Sequence, residues 1–126
     1  MNEIILSYVG IKNVEPIIYC KYNKGVELGF PEIRELILCI ETLSDKKPYL
    51  IFLDISLISN ITNEGKRMME RYSDLPFCMG IAIFVQENRY ECAQRLVDDN
   101  KAKFPFRAFD TEQEAVDWLL SLPLGH

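Results

Sequence analysis

The run Tyr49-Leu50-Ile51-Phe52-Leu53-Asp54 is apolar through its first five residues and closes on a carboxylate. It is too short for a free-standing helix and lacks alternation of apolar and polar positions, which is how a strand covered on both faces reads. We take it as a buried central strand. The charged break Asp45-Lys46-Lys47-Pro48 precedes it. Further upstream, Ile33, Leu36, Ile37, Ile40 and Leu43 recur at helical spacing behind Pro31, a residue that fits the first helical position because its missing N–H is not needed there. The spacing predicts an amphipathic helix ending near Ser44. Downstream, Ser59-Asn60-Ile61-Thr62-Asn63 is dense in capping residues, so a second helix is expected over Glu64 to Tyr72, with Met68, Met69 and Tyr72 as its apolar side.

The pattern repeats further along. Phe77 to Val85 is again continuous and apolar, with Gly80 and Ala82 small enough to let a helix approach the sheet. Asn88 with Glu91, and Thr111 with Glu114, are capping spacings, the first before Tyr90, Ala93, Leu96 and Val97 and the second before Ala115, Trp118, Leu119 and Leu122. Between those helices, Phe104 to Phe109 reads as a short strand whose Pro105 suits an edge or a strand start. At the amino terminus, Ile4 to Val9 and Pro16 to Tyr22 are rich in β-branched and aromatic residues and separated by Gly10 to Glu15, which predicts an antiparallel pair. The resulting order is ββ-α-β-α-β-α-β-α. Alternating buried strands and helices imply parallel pairing through crossovers, with helices covering the sheet.

The 126 residues suit a single domain, residues 1–126, and 48% apolar with 26% charged residues is a globular balance. A formal charge of −5 argues against general nucleic-acid binding, which needs a clustered basic face. Lys66, Arg67 and Arg71 gather at helical spacing and read as a solvated face. Cys20, Cys39, Cys78 and Cys92 form no close pair of the kind used for zinc or redox dithiols, and with no secretory signal read at the amino terminus a reducing cytoplasm is the expected setting. The longest apolar runs reach about half of the roughly 20 residues that a membrane-spanning helix requires, so no span is expected.

Chemistry is sparse. The one histidine, His126, ends the sequence, which leaves no Ser-His-Asp or Cys-His arrangement and no histidine set for zinc. The glycines form neither a dinucleotide fingerprint nor a phosphate loop. No enzyme activity, cofactor or metal is expected. Two places carry candidate function. Asp54 ends the central strand, where open α/β sheets bind ligands, although an aspartate there also commonly satisfies backbone donors of the next loop. Thr62, Asn63, Glu64 and Gly65 present hydroxyl, amide and carboxylate groups at a helix start, whose dipole responds to added negative charge.

From about Val26 onward, three stretches carry a family resemblance. They are Leu50 to Ser56, the small-residue strand Met79 to Val85, and Phe106-Arg107-Ala108-Phe109-Asp110 running into Glu114-Ala115-Val116-Asp117-Trp118-Leu119. Together they resemble the STAS-like domains of sulfate transporters and anti-sigma-factor antagonists, in particular the SpoIIAA-like branch. The resemblance implies an α/β sandwich with a mixed, mostly parallel sheet, an N-terminal β-hairpin and about four helices. It further implies a regulatory or protein-interaction module, working with a protein partner or as a homodimer. In regulatory members of the family the helix start after the aspartate strand reads Asp-Ser-Ser-Gly and its second serine is phosphorylated. The matching tetrad here is Thr62-Asn63-Glu64-Gly65, which keeps only the glycine. Glu64 then either fixes a charge where relatives switch one or simply stabilises the helix, and Thr62 is the hydroxyl left for phosphorylation. The alternative function is a small-molecule or lipid binder, its apolar pocket lined by Met68, Met69, Phe84 and Tyr90; the same residues also suit an ordinary core.

Overall fold

The computed structural model describes residues 2–70, 75–99 and 103–124. In chain order its elements are β1 (Glu3–Ile5), β2 (Val9–Val14), β3 (Ile17–Tyr22), β4 (Glu27–Leu28), α1 (Phe30–Ser44), β5 (Tyr49–Asp54), β6 (Asn60–Ile61), α2 (Asn63–Met69), β7 (Cys78–Phe84), α3 (Tyr90–Asp99), β8 (Phe106–Phe109) and α4 (Glu112–Ser121). Six strands form one sheet in the order β1-β2-β3-β5-β7-β8, and β4 pairs with β6 in a separate ribbon. Strands β1 to β3 are antiparallel, whereas β3, β5, β7 and β8 run parallel.

The apolar runs at Tyr49 and Phe77 become β5 and β7, the middle of the parallel half. Their side chains alternate between two cores. Ile51, Leu53, Ile81 and Ile83 join Ile33, Leu36, Ile40, Met68, Met69 and Ala93, so α1, α2 and α3 all lie on one face. Leu50, Phe52 and Ala82 join Ala115 and Leu119 of α4 on the other. Each fully buried Ile or Leu contributes about 1.5–3 kcal/mol, which is why a strand that feeds both cores anchors the sheet. Gly80 serves the α4 side: a Cβ there would come within 2.5 Å of Leu122 Cδ1.

Helix α1 begins at Phe30, one residue before Pro31, and the Gly29 N–H donates to Glu32 Oε1 at 2.9 Å. It ends at Ser44 because Asp45 turns left-handed, at φ 49°. Several boundaries differ from the expectation. The amino-terminal hairpin is β2 with β3: Gly10 to Val14 is strand, and β1 is a further three-residue edge strand. Gly10 carries no turn, and the buried Val9 and Ile11 around it with exposed Lys12 after them give the period-two pattern of a half-covered strand. Helix α2 runs from Asn63 to Met69 with Glu70 as its C-cap, and Arg71 and Tyr72 lie outside the described residues. Asn88 sits inside a 3-10 turn, Glu87–Arg89, that leads into α3, and Thr111 precedes α4 without a side-chain cap bond. The last strand is shorter than expected and starts after Pro105. No helix among the described residues is long and apolar enough to cross a membrane.

Candidate functional site

Parallel strands β5 and β7 end side by side, so the chain leaves the sheet twice at the same end. Asp54 makes the first exit. Its Oδ1 accepts from the Ser56 N–H at 2.9 Å and the Ser56 Oγ–H at 2.5 Å, which folds the loop back over the sheet. The Asp54 side chain is only half-buried, and these bonds occupy that oxygen. The loop is then tied to the segment before α1: the Gly25 N–H donates to Leu57 O at 2.8 Å, the Ser59 N–H to Val26 O at 2.8 Å and the Thr62 N–H to Leu28 O at 3.0 Å.

Thr62 caps α2, its hydroxyl oxygen accepting from the Gly65 N–H at 3.0 Å. Gly65 is buried, and a Cβ on it would lie 2.2 Å from the Leu28 carbonyl oxygen, a separation no side chain tolerates. The retained glycine of the tetrad is therefore needed for the close approach of α2 to β4. Asn63 and Glu64 are exposed. Glu64 faces Arg67 at 3.5 Å, with both side chains largely in solvent. Such a pair is worth about 0.2–1 kcal/mol, too little to fix either group in place.

Beside this turn lies an open cleft of about 480 Å³. Ile55, Ile58, Val85, Ala93 and Leu96 give it an apolar floor, and Lys66, Arg89 and Arg95 supply cations. The Arg89 guanidinium donates to the Ile58 carbonyl at 2.5 Å, joining the turn before α3 to the loop after β5. Ile61 and Lys66 bring the edge of the α2 start to the cleft, whereas Thr62 to Gly65 and Asp54 border it without lining it. The expected apolar pocket is not built from Met68, Met69, Phe84 and Tyr90. The two methionines are core beneath α2, Tyr90 packs on that core, and Phe84 stacks at 5.8 Å on Phe52 on the opposite face of the sheet.

Sequence reasoning missed the cleft. Lys66 was visible only as part of a charged helix face, and Arg89 and Arg95 carry no pattern linking them to it. Cys92 is exposed at its rim, while Cys20 and Cys78 are buried and burial pushes both thiols up, Cys78 to about 12. Among the described residues no group of three His, Cys, Asp or Glu side chains is placed to hold a metal ion.

The mostly parallel sheet with three helices on one face, one on the other and an antiparallel hairpin at its edge is the SpoIIAA-like fold. The crystal structure of an uncharacterized protein of the DUF3478 family from Shewanella loihica, described as having that fold, superposes with a TM-score of 0.61 at 16% identity. The superposition covers 88% of this chain and 91% of that one. The chain belongs to the family described as Domain of unknown function (DUF7793), which it matches over residues 11–122. No curated protein matches it.

Proposed function

We propose that the protein is a non-catalytic regulatory module of the cytoplasm that binds a protein partner, or a second copy of itself, through the start of α2. The observation that carries this reading is the way the turn is held. Asn63 and Glu64 are exposed on a segment pinned from beneath by the Thr62 cap, the Leu28 carbonyl and the close approach of Gly65. A polar turn fixed before binding loses little conformational freedom when it docks, which favours specific recognition. In this reading Asn63 and Glu64 make the contacts, Thr62 and Gly65 hold the turn, and Asp54 shapes the loop leading into it. Glu64 supplies a constant charge at the position where regulatory relatives carry a phosphorylated serine.

A photo-crosslinking residue at Asn63 tests this in the native cells, with Glu114 on the opposite face of the sheet as control. A discrete adduct from position 63 and none from 114 is the expected result. Equal adducts at both positions, or none at 63, would overturn the interface assignment. A second reading, small-molecule binding, is favoured by the cleft beside the turn.

A further inference from the structure

We propose that the cleft at the carboxyl ends of β5 and β7 binds a small amphiphile with an anionic head, carboxylate or phosphate, and a single aliphatic tail. This goes beyond the partner surface and does not depend on it, since the residues lining the cleft are not those assigned to the partner.

Ile55 and Val85 are the residues that directly follow β5 and β7, so the floor sits where open parallel sheets place their ligands. Its volume of about 480 Å³ falls within the span of roughly 300–1,000 Å³ found for small-molecule sites.

Three cations, Lys66, Arg89 and Arg95, line the cleft against one carboxylate, Asp99, in a chain whose net charge is −5. Among the described residues the ion pair found is Arg67 with Glu64, so none of the three is in an ion pair with a described neighbour. Arg89 is also held in place by the Ile58 carbonyl, which uses one of its five N–H donors. A fixed guanidinium suits carboxylate and phosphate oxygens geometrically.

The floor then narrows the class. A purely polar anion would leave the half-buried Ile61 and Leu96 of the lining in water, and a neutral hydrocarbon would desolvate three cations without compensation. A head and tail on one molecule satisfy both.

Cys92 at the rim provides the readout. Its alkylation rate in the native full-length chain is measured with decanoate or decyl phosphate as monomers, with decanol and inorganic phosphate as controls. Decanoate and decyl phosphate should slow the reaction at Cys92, whereas decanol and inorganic phosphate should not. K66E and R95E should each weaken decanoate by about tenfold, with circular dichroism unchanged. Equal protection by decanol or by inorganic phosphate would overturn the proposal, as would full protection in the K66E/R95E double variant. So would protection by phosphatidylglycerol vesicles but not by monomeric decanoate, which would place the anionic surface on a membrane. None of these results decides whether ligand-free protein forms an adduct at Asn63, so a failure here is distinct from a failure of the partner reading.

Discussion

Replacing Gly65 with alanine should cost about 2–3 kcal/mol, although alanine is ordinarily the better helix residue by about 1 kcal/mol. The added Cβ would sit 2.2 Å from the Leu28 carbonyl oxygen, so the two must separate by about 0.8 Å to reach the 3.0 Å below which Cβ atoms essentially never come. The Leu28 carbonyl also accepts from the Thr62 N–H at 3.0 Å and from the Thr62 hydroxyl at 3.4 Å, and a shift of that size strains both bonds. Overpacking against backbone costs about 1–3 kcal/mol, and weakening the bonds to the Leu28 carbonyl about 1–1.5 kcal/mol more, against which the helix preference is an offset of about 1 kcal/mol. Urea unfolding followed by circular dichroism measures the sum. With a slope of about 2 kcal/mol per molar, the midpoint should fall by about 1–1.5 M. Gly10→Ala is the control, because a Cβ at Gly10 meets nothing within 4 Å, and its midpoint should stay near wild type. A G65A midpoint equal to wild type, or an equal loss in G10A, would show that α2 does not lean on β4 as described.

Three other outcomes follow from the same geometry. Thr62→Ala removes the α2 cap and should cost about 1 kcal/mol, with Thr62→Ser close to wild type, by the same urea titration; an unchanged T62A would remove the cap from the account. Tyr49 is buried with its hydroxyl unpartnered among the described residues, so Tyr49→Phe should be neutral or stabilising by up to about 1 kcal/mol. Burial also holds that phenol protonated above its ordinary value of 10.0. As pH rises past that value the unfolded chain gives up its proton first, so wild type loses stability there and Y49F loses less. Thermal unfolding of the two proteins between neutral and strongly alkaline pH checks the sign, and parallel losses would refute it. Alkylation with peptide mapping should label Cys92 in the folded protein and reach Cys20 and Cys78 only in denaturant; labelling all three at one rate would contradict the core.

The parallel half of the fold was legible because burial on both faces leaves an unbroken signal. Tyr49 to Leu53 is apolar at every position, and its shortness behind the break at Pro48 favours a doubly covered strand over a buried helix. The hairpin was displaced because Gly10 looked like a break, and the sheet edge supplies too little apolar contrast to overrule it. The β4–β6 ribbon went unseen for a similar reason: Glu27 and Leu28 fall in a stretch rich in turn residues, and two residues leave no periodicity. At the site, Thr62 and Gly65 were readable as a cap, but the reason for the glycine was not, since it lies in a carbonyl from a segment far away in sequence. The cleft was harder still. Its cations come from α2, from the turn before α3 and from α3 itself, and only the sheet order brings those elements together.

That order has a further consequence for how the two sites relate. Because α1, α2 and α3 share one face, the starts of α2 and α3 emerge at the same end of the sheet, and Lys66 of the cleft lies one helical turn beyond Asn63 on the same short helix. The Lys66 N–H donates to the Thr62 carbonyl at 2.9 Å, so a ligand held by Lys66 acts on the segment proposed to present the partner contacts. Coupling between two binding sites is reciprocal: a ligand that changes partner affinity must itself be bound more or less tightly when the partner is present. Decanoate should therefore alter the yield of the Asn63 adduct, and saturating partner should change the protection of Cys92 in the same direction. An Asn63 adduct indifferent to decanoate, while Cys92 is protected, would mean that α2 responds as two independent halves and that the cleft and the turn serve separate tasks.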